Sequence, residues 1–142
     1  MDIGPSDLAQ AFAAVRAEAT TYPLGVRIWM AIMACVFFSS IAFVRWKIEA
    51  RVVLASTLST IAFRVAAKML WPAVGRAQAG AMIHLALWSP LLVYLVRTRW
   101  RSTANAAAPS GTFERAFGVW ALLVIAVLGI SLSLDGRDLL RH

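Results

Sequence analysis

Cysteine, histidine and acidic residues are all scarce in this chain. Its 142 residues include one cysteine, two histidines and seven aspartates and glutamates. The single thiol, Cys35, lies in an apolar run and cannot close an intramolecular disulfide, so nothing implies an oxidising compartment. It reads as a small apolar filler. One cysteine and two histidines are too few for a zinc set, and a bis-histidine haem would need the terminal His142 as its second ligand. There is no glycine-rich phosphate loop and no GxSxG elbow. The carboxylates are few and none lies deep in an apolar stretch. These absences leave no expected cofactor, no metal and no catalytic residue. The start of the chain also lacks the positive charge of a cleaved signal, because Asp2 and Asp7 make it acidic. The first span is therefore expected to be retained as an anchor.

Apolar sequence is what the chain has in abundance. It is 61% hydrophobic with a mean hydropathy of +0.72, against about 45–50% apolar residues for a soluble domain. A helix crossing about 30 Å of hydrocarbon needs roughly 20 mostly apolar residues. Ile28 to Val44 and Ala116 to Leu134 carry no charge, and Ala77 to Val96 carries only His84. Val52 to Trp71 is interrupted by Arg64 and Lys68, but counting it as a span keeps the flanking charges coherent. The fold expected is all-α: a polytopic integral membrane protein with transmembrane helices at 25–45, 51–71, 77–97 and 113–135. Together these form a 25–135 transmembrane domain. Residues 1–24 precede it, where Leu8, Phe12, Val15 and Ala19 recur at helical spacing behind a possible Ser6 cap, as in an interfacial amphipathic helix. Residues 136–142 form a tail, and Asp135-Gly136 is expected to break the last helix. The segment Ser102 to Thr112, rich in Ala, Ser and Asn, reads as a linker.

The net charge is +7. Most of the basic residues flank apolar runs, where orientation and contact with anionic lipids account for them without nucleic acid. Arg45, Lys47 and Arg51 follow the first span, and Arg97, Arg99, Arg101 and Arg115 surround the third connection. The positive-inside rule puts both connections in the cytoplasm and both termini outside, which in a bacterial inner membrane means the periplasm. Trp29, Trp46, Trp71, Tyr94 and Trp100 sit near the span ends, as in aromatic belts.

The embedded polar residues carry the functional argument. Short connections make consecutive helices antiparallel, so depth can be matched across them. Arg64 and His84 each lie seven residues from the turn around Trp71 to Ala77, about 10 Å below the outer boundary at 1.5 Å per residue. Lys68 lies one turn nearer the surface on the face shared by Thr57, Thr60 and Arg64. Ser131 and Asp135 reach the same outer half from the last helix. Thr60, Arg64, Lys68, His84, Ser131 and Asp135 are thus expected to converge on one polar pocket. Arg64 and Lys68 repel each other at i,i+4, so Arg64 needs a counter-charge, with Asp135 or Asp138 as its candidate partner. An ionisable residue within a membrane costs about 2.5–3.5 kcal/mol and is a functional hypothesis by default. The bland alternative is that both cations reach outward to the interface and Asp135 is a static partner.

His84-Leu-Ala-Leu-Trp88 places an imidazole and an indole one turn apart on one helical face. This spacing resembles the His-xxx-Trp motif of the small viral proton channels. The resemblance implies that His84 relays protons and senses pH while Trp88 occludes the path, and a histidine pKa near 6.5 suits such a relay. One histidine per chain would require several copies around a pore. The competing reading is a hydrogen-bonded histidine beside a packed tryptophan. Pro90 removes a backbone donor and is expected to loosen the third helix, and Gly80 offers a small packing face. The first helix lacks the embedded Glu of compact four-helix multidrug exporters, and the Asn and Phe-rich signatures of fluoride channels are missing.

Ile83-His84-Leu85-Ala86-Leu87-Trp88-Ser89-Pro90-Leu91-Leu92-Val93-Tyr94-Leu95 and the ending Ile130-Ser131-Leu132-Ser133-Leu134-Asp135-Gly136-Arg137-Asp138-Leu139-Leu140-Arg141 resemble uncharacterised four-helix inner-membrane proteins of bacteria. That resemblance implies a location and no activity. Function divides in two. One reading is a non-catalytic accessory or assembly subunit that packs against other membrane subunits. The alternative is a homo-oligomeric conduit for protons or small ions through His84, Trp88 and the Arg64 cluster.

Overall fold

A computed structural model of the chain describes residues 7–70, 76–105 and 111–140. Five α-helices follow in order: α1 (Leu8–Thr20), α2 (Leu24–Phe38), α3 (Ile48–Leu70), α4 (Arg76–Asn105) and α5 (Thr112–Leu140). Four segments are long and apolar enough to cross a membrane: Leu24–Ala42, Ile48–Leu70, Ala81–Arg101 and Thr112–Arg137. The protein is a multi-pass membrane protein with no strand among the described residues. The expected turn at Trp71, Pro72 and Gly75, the middle of the linker, Arg141 and His142 lie outside the described residues. So do the packing face at Gly80 and the side chain of Asp138.

α1 is capped by Asp7, whose Oδ1 accepts from the Gln10 backbone N–H at 2.7 Å. A side-chain acceptor at this position satisfies one of the first-turn donors that no carbonyl of the helix can reach. The helix packs on α3 through Ala11, which is fully buried, while Leu8 and Phe12 stay exposed. α2 stops sooner than its apolar run suggests. It tightens into a 3₁₀ turn over Ser39–Ala42 before the chain reverses. The Ser39 hydroxyl donates to the Val36 carbonyl at 2.7 Å, and the Trp120 indole N–H reaches the Ser39 hydroxyl at 3.0 Å and the Val36 carbonyl at 3.2 Å. Serine side chains compete for helix carbonyls in this way, and 3₁₀ turns are common at helix ends.

The other helices outrun their expected bounds. α4 passes through Pro90 without interruption and continues to Asn105, so the first residues of the expected linker are helical. α5 continues through Asp135-Gly136 to Leu140, and no glycine among the described residues has the positive φ of a terminating turn. The expected break is overridden because Asp135 is held against α4 rather than left to bond its own backbone. α4 and α5 form the main seam, where Trp88, Leu91 and Leu95 meet Trp120, Val124 and Leu128 in one buried cluster. Phe43, Phe113, Phe117 and Trp120 stack at the loop end with centroids 5.3–5.6 Å apart. Over them Lys47 bonds both oxygens of Glu114 at 2.7 and 2.9 Å and sits 4.9 Å from the Phe117 ring. Gly118 leaves room for the Arg99 side chain, since a Cβ there would meet its guanidinium at 3.1 Å.

α2 stands apart from this seam, with Phe37 as its one buried residue. Its attachment therefore depends on a few interhelical hydrogen bonds. Trp120→Phe removes the indole N–H that holds the end of α2, together with part of a buried ring. Reversible unfolding in mixed micelles should show a loss of about 1 kcal/mol or more, since such bonds contribute about 0.6 kcal/mol on average and about 1.7 at most and the lost ring atoms add a cavity cost. An unchanged midpoint would mean that α2 is held by other contacts.

Candidate functional site

A cavity of about 490 Å³ lies where α2 stands off from the other three spans, in the half of the bundle nearest the termini. α3 contributes Thr60 and Arg64 to its wall, α4 contributes His84 and Trp88, and α5 contributes Ser131 and Asp135. Five of the six residues matched by depth thus share one cavity with Trp88. Lys68 is the exception. It lies off the cavity and pairs with Glu18 of α1 at 2.8 Å, so it neither joins the pocket nor runs free to the interface.

His84 and Asp135 form the central contact. The His84 Nδ1 lies 2.9 Å from Oδ2 of Asp135, with both side chains largely shielded from solvent. In the tautomer that carries its proton on Nδ1, His84 donates this bond to the Asp135 carboxylate. One turn along α4, the Trp88 indole stacks on the imidazole at 4.0 Å with the planes 9° apart. Its N–H donates to the Thr60 hydroxyl at 2.9 Å, and that hydroxyl donates to the Ser56 carbonyl at 2.9 Å. Phe37 of α2 closes on the indole edge at 5.3 Å. A chain of contacts therefore ties α5, α4, α3 and α2 together through Asp135, His84, Trp88, Thr60 and Phe37. Ser131 makes a separate tie, accepting from the Trp29 indole at 3.3 Å and donating to the Met33 sulfur at 2.8 Å.

The expected pairing of Arg64 with Asp135 is not formed. Asp135 points to His84 across the α4–α5 seam, and Arg64 faces the Tyr22 hydroxyl in the connection between α1 and α2. Its Nε is buried with no hydrogen-bond partner. Tyr22 bonds Glu18 at 3.3 Å. Burial and the Glu18 carboxylate hold the Tyr22 phenol above its ordinary pKa of 10, while the Arg64 charge pulls the other way. The phenol is therefore neutral across the physiological range. It offers Arg64 a polar neighbour, while the Glu18 carboxylate beyond it is paired with Lys68.

Below Trp88 and Phe37 the seam between α4 and α5 is mainly apolar down to the loop end, with Leu95 2% exposed and Val124 and Leu128 fully buried. The buried hydroxyls there are small and scattered: Thr57 bonds the Val53 carbonyl of its own helix, and Ser40 and Ser56 have no partner. The sequence missed Tyr22, Glu18, Trp29 and Met33. The spacing of Glu18 and Tyr22 at i,i+4 was available, but nothing in it says that α1 would turn this face to α3. Among the described residues no group of three or more His, Cys, Asp or Glu side chains could hold a metal ion. No protein-family model, no curated protein and no solved structure matches the chain.

If His84 rather than Arg64 is the partner of Asp135, a double-mutant cycle will show it. His84→Ala with Asp135→Ala should depart from additivity by about 0.5 kcal/mol or more, and Arg64→Ala with Asp135→Ala should depart by less. The reverse order in unfolding measurements would restore the Arg64–Asp135 pairing.

Proposed function

We propose that this protein is a non-catalytic accessory subunit of a membrane, acting through what it binds rather than through what it turns over or conducts. The observation that carries this reading is the one-sided cavity. Polar groups gather around Arg64, His84 and Asp135, while the aromatic and aliphatic seam below Trp88 closes the way to the loop end. A single chain built like this has an entrance and a floor. The exposed apolar surface of α2, including Val26, Ile28 and Ile32, suits contact with lipid or the helices of another subunit.

The conduit reading keeps one observation in its favour, the face-to-face stack of His84 on Trp88 with His84 hydrogen-bonded to Asp135. It needs several copies of the chain, with a path between them in place of the closed seam within each. Proteoliposomes separate the two readings. The accessory reading expects no proton or anion flux above empty vesicles between pH 5 and 8, the range in which a histidine titrates, for wild type and His84→Ala alike. Flux that rises with acidity and disappears in His84→Ala would establish the conduit.

For topology we propose that the loop end faces the bacterial cytoplasm and the termini face the periplasm, with α1 at the outer interface. Arg45, Lys47, Arg51, Arg97, Arg99, Arg101 and Arg115 all belong to the loop end, with Glu49 and Glu114 as its acidic residues. Such a bias toward arginine and lysine in short connections orients spans. In a Cys35→Ser background, an impermeant maleimide added to spheroplasts should label Arg16→Cys directly and Arg45→Cys only after permeabilisation. The opposite pattern would invert the topology.

A further inference from the structure

We infer that the cavity binds a single-chain acidic amphiphile, its phosphate or carboxylate head against Arg64 and its alkyl chain along α2. The inference rests on reading the cavity as a binding site and adds the class of ligand. Arg64 supplies the head site. Its Nε is buried without a hydrogen-bond partner, and its neighbour at the rim is the neutral phenol of Tyr22, while the nearby Glu18 carboxylate is paired with Lys68. Arg64 is half-buried, and its guanidinium lines the cavity; an oxyanion is the acceptor that matches its fork geometry. Arg137 is a second cation on the wall. Asp135, which would repel an anion, has its Oδ2 engaged by His84 at 2.9 Å. Tyr22 and His84 are the remaining titratable groups facing the space.

The rest of the wall selects against a bare anion. Met30, Met33, Phe37, Phe38 and Ile61 also line the cavity, giving the apolar lining with a few convergent polar groups that marks small-molecule sites of about 300–1,000 Å³. Size decides the number of chains. At about 30 Å³ for each water-sized group, 490 Å³ holds roughly sixteen such groups, enough for one alkyl chain with its head and too few for two. A neutral alcohol would fill the same space without meeting the Arg64 charge, and free phosphate would leave the apolar wall in contact with nothing that favours it.

The test uses the full chain purified in a neutral detergent, with dodecyl phosphate as probe and dodecanol and inorganic phosphate as comparison ligands, read by native mass spectrometry across a concentration series. The proposal expects saturable retention of one dodecyl phosphate per chain and much weaker retention of the other two. Arg64→Gln should weaken dodecyl phosphate roughly tenfold or more, the loss expected for a charge-assisted bond, and leave dodecanol unchanged. Ala34→Trp, at an exposed position on the cavity wall, should block the alkyl chain without disturbing the buried seam and so abolish retention. Non-saturable uptake, equal retention by Arg64→Gln, an unaffected Ala34→Trp variant, or inorganic phosphate binding as well as dodecyl phosphate would each overturn the inference. Failure here with silent proteoliposomes would remove the ligand and leave the accessory reading in place, whereas ion flux would remove the accessory reading itself.

Discussion

Within hydrocarbon a helix gains little by hiding apolar surface from a neighbour, because lipid chains are as apolar as leucine. Association then depends on close packing and on polar groups finding one another. In this protein the contact of His84 with Asp135 does most to arrange the half of the bundle nearest the termini. It fixes the register of α4 against α5. It keeps α5 helical through Gly136, where the local sequence favours a turn. By setting the imidazole plane it also sets the stack that directs the Trp88 N–H to Thr60, and through Thr60 it reaches α3. Removing either partner would leave a shielded polar group unmatched and release a contact that several others are built on.

The same contact explains the state of Arg64. Two cations one turn apart on α3 demand acidic partners, and the chain has few. Glu18 goes to Lys68 and Asp135 goes to His84. Arg64 is left with Tyr22, whose phenol is held neutral by burial and by Glu18. This distribution is not what pairing by opposite charge alone would give, since Asp135 would then serve the permanent cation rather than an imidazole. Sites where a residue type sits against local preference, with the surroundings holding it there, are where function is most often found.

How much of this was legible follows from which physical quantities a sequence encodes. Span number comes from length and composition, and the four apolar segments are helices; of the residues matched by depth, Thr60, Arg64, His84, Ser131 and Asp135 line one cavity and Lys68 lies off it. Rotation of a helix about its axis is not encoded in the same way. It is settled by packing of large rings such as Trp88 and Phe37, so the partner of Asp135 was misassigned. Lys68 was misjudged because its partner belongs to α1, whose orientation depends on the fit of Ala11 against α3. The Asp135-Gly136 break failed because local turn preference gave way to a tertiary hydrogen bond, and the helix at Ser102 to Asn105 because linker-like composition does not forbid a helix that has already begun.

The loosely packed helix gives the cavity its character. α2 is tied near both ends, through Trp29 and Met33 to Ser131 and through Val36 and Ser39 to Trp120. Between these ties its inner face carries Met30 and Ala34, side chains that are flexible or small, while the opposite wall carries the fixed arrangement of His84, Trp88 and Thr60. Methionine fills irregular space and adapts to different neighbours at little energetic cost. The cavity therefore has one wall whose polar groups are held at set distances and one wall that can conform. Recognition of a charged head belongs to the first, and tolerance for the shape of an alkyl chain belongs to the second. A bundle in which α2 packed as tightly as α5 would lose this division, because the close packing that fixes α4 against α5 leaves no room between them for a ligand of any kind.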